Sequence, residues 1–133
     1  MKSGREHRVP LSRAALAVLQ EMENLRQNDR VFPGDRRETL SGMALLMLLR
    51  RMNRSDLTAH GFRSTFRDWA AECTNFPSEV VEMALAHAVS DKVEAAYRRG
   101  DLFEKRRKLM EAWAAYCARV EAPGKIVPLR SIA

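Results

Sequence analysis

The sequence predicts one mainly helical domain with a small β element at its N-terminus. The chain has 133 residues, of which 46% are hydrophobic, enough for a single domain with its own core. Apolar residues recur at helical spacing along most of the chain. Near the start, Val9 and Leu11 alternate with polar neighbours, while Pro10 restricts this segment to an edge strand or a strand end.

The first predicted helix follows directly. Ser12 is a suitable N-cap, and the helix is expected to run to about Arg26. Its apolar stripe consists of Leu16, Leu19, Met22 and Leu25.

A loop around one short strand follows over residues 28–35, broken at Pro33-Gly34. Ser41 could cap the next helix, from Met43 to Met52. Because this second helix is apolar nearly all round, we expect it at the centre of the core.

The second half of the sequence predicts further helices. One opens at Thr58 and runs to about Glu72, and Pro77 begins another that ends near Ala88. The residues expected to face inward from the first of these are Phe62, Phe66, Trp69, Ala70 and Cys73.

The last segments complete a domain over residues 1–121. A short helix begins at Asp91 and ends near Gly100. The final helix runs from Phe103 to about Val120, and residues 122–133 are expected to be a flexible tail. The apolar side of the final helix carries Leu109, Met110, Trp113, Tyr116 and Cys117.

The charge balance suggests a polyanionic partner. Lysine and arginine number 23 against 17 acidic residues, a formal net charge of +6. Arginine pairs its N–H groups with phosphate oxygens, so nucleic acid is the first partner to consider. A basic surface with no such partner is the alternative.

The sequence disfavours a membrane-spanning or a secreted protein. The longest apolar run, Met43 to Leu49, is too short to span a membrane, and the N-terminus lacks the apolar region of a secretory signal. Cys73 and Cys117 lie outside any CxxC pattern, which suggests a reduced, intracellular protein. We therefore expect it in the cytoplasm.

Four residues with side chains suited to catalysis follow one another along the sequence. His60 and Arg63 are three apart on one predicted helix and therefore share a face. His87 lies in the segment EMALAHAV, and Tyr97 follows ten residues later. Two arginines come directly after it, Arg98 and Arg99.

This order, HxxR, then LxH, then tyrosine, resembles the C-terminal part of the catalytic domain of tyrosine recombinases. The similarity is to phage and prophage integrases of the satellite-phage type. It rests on the phrases HRVPLS, LTAHGFRSTFRDWAAE, ALAHAVSDKVEAAYRRGD and KRRKLMEAWAAYC, and it covers roughly residues 1–118.

The resemblance implies a role for each residue. Tyr97 would be the nucleophile, Arg63 the second catalytic arginine and His60 the histidine beside it. His87 would occupy the later His/Trp position, and Lys2 would be the general acid of a β-hairpin. DNA contacts are expected from Arg5, Arg8, Arg98 and Arg99.

The chemistry fits these roles. An arginine fork holds phosphate oxygens, and histidine donates hydrogen bonds or moves protons near neutral pH. Tyrosine becomes a useful nucleophile when it is positioned among cations. The intact parent would recombine specific sites in double-stranded DNA through a 3′-phosphotyrosyl intermediate, integrating or excising a mobile element. It would need no cofactor, metal or small-molecule substrate.

The resemblance also implies missing parts. The family's first catalytic arginine and its DNA-clamping core-binding domain lie upstream of the matched region. We therefore expect this chain to be a fragment with little or no recombination activity alone, since one lost charge-stabilising group costs roughly 10² to 10³ in rate.

Plainer interpretations remain open for each residue. His60 could be satisfied by backbone at a helix start, Arg63 could form a surface ion pair with Asp68 or Glu72, and His87 could be a buried helix-end residue. Tyr116 competes with Tyr97, although its stripe partners favour a core position.

Three alternatives concern the whole chain. A zinc site built from histidines and cysteines has no matching ligand spacing. The last helix could pack within the chain or form a homo-oligomer contact through Leu109, Met110 and Trp113. The chain could also be a non-catalytic helical DNA-binding or interaction module that retains the family's residues.

Overall fold

The computed structural model describes residues 6–34, 39–87 and 100–119, and this part of the chain is mainly helical. A single antiparallel bridge joins Pro33 and Thr39, where the Thr39 carbonyl comes so close that only glycine fits at Gly34. The five helices within these ranges are α1 (Arg13–Asn24), α2 (Ala44–Arg51), α3 (Gly61–Cys73), α4 (Ser78–Ala84) and α5 (Phe103–Cys117).

The β element predicted at the N-terminus is not seen among the described residues. Residues 6–12 form no strand, and Pro10 has no N–H to donate to a neighbour. The Arg8 carbonyl instead accepts a hydrogen bond from the Arg106 side chain at 2.7 Å. This segment is therefore held by α5 rather than by a sheet.

Helix α1 begins where the sequence predicts it. The Ser12 hydroxyl accepts a hydrogen bond from the Ala15 N–H at 3.2 Å, which confirms the N-cap. The backbone N–H of Arg13 donates to a Glu111 carboxylate oxygen of α5 at 3.0 Å. No residue of α1 is buried, so this contact lies at the edge of the fold.

The prediction that the second helix is central is wrong for this structure. Of the residues in α2, only Leu49 is buried. Leu45, Met47 and Leu48 are exposed because no other described element packs over their side of the helix. The N-cap position belongs to Met43, with no side-chain hydrogen bond, so the predicted Ser41 cap is also wrong.

The core lies among α3, α4 and α5. Its buried residues are Phe66, Trp69, Ala70, Val80, Val81, Leu85 and Leu109. Phe66 and Trp113 meet edge to face with ring centroids 5.4 Å apart, and Tyr116 stacks on Trp113 at 5.5 Å. The inward face predicted for α3 is confirmed at three positions.

Other inward-facing predictions are wrong. Phe62 and Cys73, near the two ends of α3, are exposed because α4 and α5 cover only the middle of that helix. Cys117 is also exposed at the end of α5. Tyr116 is 40% exposed, although its ring packs against both tryptophans.

No helix among the described residues is long and apolar enough to cross a membrane. The short helix predicted from Asp91 and the predicted tail over residues 122–133 lie outside the described residues.

Candidate functional site

The start of α3 presents His60 and Arg63. The Thr58 hydroxyl accepts the Gly61 N–H at 3.0 Å, which supports the first turn. His60 occupies the N-cap position and is exposed, and its carbonyl accepts the Arg63 N–H at 3.0 Å. His60 and Arg63 therefore lie on the same first turn of α3.

The end of α4 is shaped by a left-handed residue. Ala86 has φ 55°, and its N–H donates to the Met83 carbonyl at 3.1 Å. The His87 N–H donates to the Glu82 carbonyl at 3.0 Å. These bonds form a Schellman motif with alanine in the place that glycine usually takes. The motif stops the helix sharply and places His87 just beyond its end.

Arg63 joins α3 to the end of α4. Its Nη2 donates to the Leu85 carbonyl at 2.5 Å, two residues before His87. This carbonyl is one of those that the helix end leaves without a backbone partner. The alternative surface ion pair of Arg63 with Asp68 or Glu72 is not the contact made here. The structure thus brings the Arg63 guanidinium to the loop that carries His87.

A second pair of contacts fixes His87. The Glu82 carboxylate accepts the Arg67 Nε–H at 2.7 Å through one oxygen and lies 2.5 Å from His87 Nδ1 through the other. The hydrogen bond from Arg67, followed by the one from His87, lowers the pKa of Glu82. His87 is half exposed, so it is not the buried helix-end residue that was the alternative.

The sequence interpretation missed Glu82 and Arg67. Arg67 is four residues after Arg63 and therefore on the same helix face, which was a usable signal. Glu82 gave a weaker one, because its contact with His87 depends on how α4 ends.

A separate arginine cluster joins the N-terminal segment to α5. Arg8 donates to Asp101 at 2.7 Å and lies 5.1 Å from the centre of the Phe103 ring. Arg106 is 1% exposed and donates to the carbonyls of Arg8 and Asp101, both at 2.7 Å. Burial lowers the pKa of Arg106, while its hydrogen bonds satisfy the buried guanidinium.

The other predicted site residues are not placed. Lys2, Arg5, Tyr97, Arg98 and Arg99 lie outside the described residues. Within the described ranges, no three histidine, cysteine or acidic side chains converge as metal ligands would.

Comparison with known proteins identifies the class of this helical domain with its arginine and histidine site. The phage integrase family matches residues 1–102. The chain belongs to the phage integrase family.

Individual relatives agree with this assignment. The chain is 36% identical to the prophage integrase IntA of Escherichia coli K12, over 86% of this chain and 28% of the relative. It is 32% identical to the integrase of Enterobacteria phage P4, over 87% of this chain and 28% of the relative. The chain thus spans less than a third of each of these proteins. No solved structure matches it significantly.

Proposed function

We propose that these residues form the C-terminal part of the catalytic domain of a tyrosine recombinase that integrates or excises a mobile element. The observation that carries this proposal is the Arg63 contact with the loop of His87, since a site for DNA phosphate needs both groups on one surface. Membership of the phage integrase family supports the same activity. The parent protein acts on chromosomal DNA in the bacterial cytoplasm, at the nucleoid.

The proposed reaction is a transesterification. The phenol oxygen of Tyr97 gives up its proton to water and attacks the scissile phosphorus, a tyrosyl–phosphorus bond forms, and the bond to the 5′ oxygen breaks. Lys2 supplies the proton that the leaving 5′ oxygen takes up. The new ester retains the energy of the broken bond, so a 5′ hydroxyl from another strand reseals it without ATP.

Charge stabilisation in this reaction comes from side chains. Arg63 and His60 face the non-bridging oxygens, where negative charge develops in the transition state. As an imidazolium, which donates from both ring nitrogens, His87 adds a further donor at the same phosphate. Arg63 already donates one N–H to Leu85, and its remaining N–H groups are available to phosphate.

The DNA duplex itself is held by a basic surface. We propose that Arg5, Arg8, Arg98 and Arg99 contribute to it. The Arg8 guanidinium is paired with Asp101 but is still 60% exposed, so its free edge could face phosphate. Such contacts weaken with added salt.

The 133-residue polypeptide alone is proposed to be inactive or nearly so. It spans less than a third of the length of the relatives it matches, and we propose that the family's first catalytic arginine and core-binding domain belong to the part outside that span. The different-class alternative, a non-catalytic DNA-binding or interaction module, is favoured if binding occurs without chemistry.

A nicked suicide duplex tests the proposal. Such a substrate traps the covalent intermediate because the cleaved end diffuses away. The full-length polypeptide that contains these residues should form a protein–DNA adduct that survives denaturing electrophoresis. Tyr97→Phe should abolish the adduct because it removes the attacking oxygen.

Tyr116→Phe is the matched control, because it removes the chain's other phenol oxygen. It should leave the adduct intact. An adduct that persists in Tyr97→Phe but disappears in Tyr116→Phe would contradict the assignment. Salt-sensitive binding with no adduct from the unaltered protein would establish the module alternative.

A further inference from the structure

Glu82 and His87 are held together at two points. The His87 backbone N–H donates to the Glu82 carbonyl, and the His87 ring nitrogen Nδ1 lies 2.5 Å from the Glu82 carboxylate. The backbone and the ring of His87 are therefore both fixed by one residue, five positions earlier on α4. A side chain tied at both places has little freedom to rotate.

Glu82 is itself fixed from a second helix. Its other carboxylate oxygen accepts the Nε–H of Arg67, on the face of α3 that also carries Arg63. Arg63 reaches the same helix end through the Leu85 carbonyl. Two arginines of α3 thus bind the end of α4 at two points just before the Ala86 turn, Arg67 at Glu82 and Arg63 at Leu85.

This arrangement decides which ring nitrogen of His87 is available. An ionised carboxylate accepts hydrogen bonds and donates none, so the nitrogen facing it must carry a proton. Nδ1 is therefore committed to Glu82. The Nε2 edge is left for other partners, and the His87 side chain is 45% exposed.

We propose that Glu82 is a positioning residue for the recombination reaction, holding His87 by Nδ1 so that Nε2 points at the scissile phosphate. This inference rests on the proposed function. Arg67 completes the arrangement by fixing the carboxylate. Glu82 touches no DNA in this scheme and acts only through His87.

The ring itself provides the first test, which is independent of catalysis. The chain has only three histidines, so ¹⁵N-histidine NMR can resolve each ring. At a pH where the ring is neutral, His87 should carry its proton on Nδ1. Glu82→Gln should release this constraint and shift the proton towards Nε2. A ring that is unchanged by Glu82→Gln contradicts the proposal.

Adduct formation provides the second test. In the full-length polypeptide, Glu82→Gln should slow covalent adduct formation on the suicide duplex roughly 10- to 100-fold, the usual cost of misplacing a catalytic group. Glu82→Asp should recover part of the rate. In a His87→Ala background, Glu82→Gln should have almost no further effect, because its target is gone.

The matched control is Glu104→Gln, which removes a similar exposed ion pair with Arg107 at 2.8 Å on α5. It should leave the adduct rate unchanged. Equal rates for Glu82→Gln and the unaltered protein would overturn the positioning role while leaving the recombinase assignment intact. An adduct that does not require Tyr97 would overturn the recombinase assignment, and the positioning role with it.

Discussion

The two halves of the described chain are both helical, but only one of them has a core. Helices α3, α4 and α5 enclose the buried cluster that includes Phe66, Val80 and Leu109. Helix α1 buries no residue and α2 buries only Leu49. Apolar periodicity thus predicts that a helix forms and which side is apolar, whereas burial depends on what packs against that side.

The largest expected effect comes from comparing two leucine truncations, one in each half. Leu109 is fully buried in α5, so Leu109→Ala should lower the free energy of unfolding by about 2 to 5 kcal/mol. Leu45 in α2 is 57% exposed, and Leu45→Ala should change it by no more than about 0.5 kcal/mol. Urea denaturation followed by tryptophan fluorescence measures both. Similar losses for the two variants would mean that α2 is part of the same core.

A smaller effect is expected at the end of α4, where the half of the chain that has a core carries backbone strain. Ala86→Gly should raise the free energy of unfolding by about 0.5 to 1 kcal/mol, because glycine adopts the φ of 55° without steric cost. Ala84→Gly, at the last residue of the same helix, is the control and should lower it by up to about 1 kcal/mol. A loss of stability in Ala86→Gly would show that the alanine methyl contributes more than the backbone strain costs.

The smallest effect concerns pH. The pKa of Glu82 lies below its ordinary value of 4.5, first because of Arg67 and then because of His87. The ionised carboxylate therefore contributes stability above about pH 4.5, and that contribution disappears as the pH falls through the lowered pKa. Both partners face solvent, so the contribution is about 1 kcal/mol or less.

The measurement compares the unaltered chain with Glu82→Gln by urea denaturation at pH 7 and pH 3. The difference between the two proteins should be larger at pH 7 than at pH 3. An equal difference at both values would assign the effect of the substitution to packing rather than to charge.

Some features of the two halves could be predicted from the sequence, and others could not. The Ser12 cap and the buried middle of α3 were predictable, because each depends on spacing within one segment. The exposure of Phe62 and the isolated position of α2 depend on which helices meet, and spacing does not contain that information. Glu82 was missed for a related reason, since its contact with His87 requires the left-handed turn at Ala86.

The buried guanidinium of Arg106 has a consequence for the order in which the chain folds during its synthesis. It binds the carbonyl of Arg8, which lies 98 positions earlier in the chain. During synthesis at about 5 to 20 residues per second, the leading segment emerges roughly 5 to 20 s before its partner does. That segment can reach its final position only after nearly all the described helices have left the ribosome, so its docking is a late step of folding.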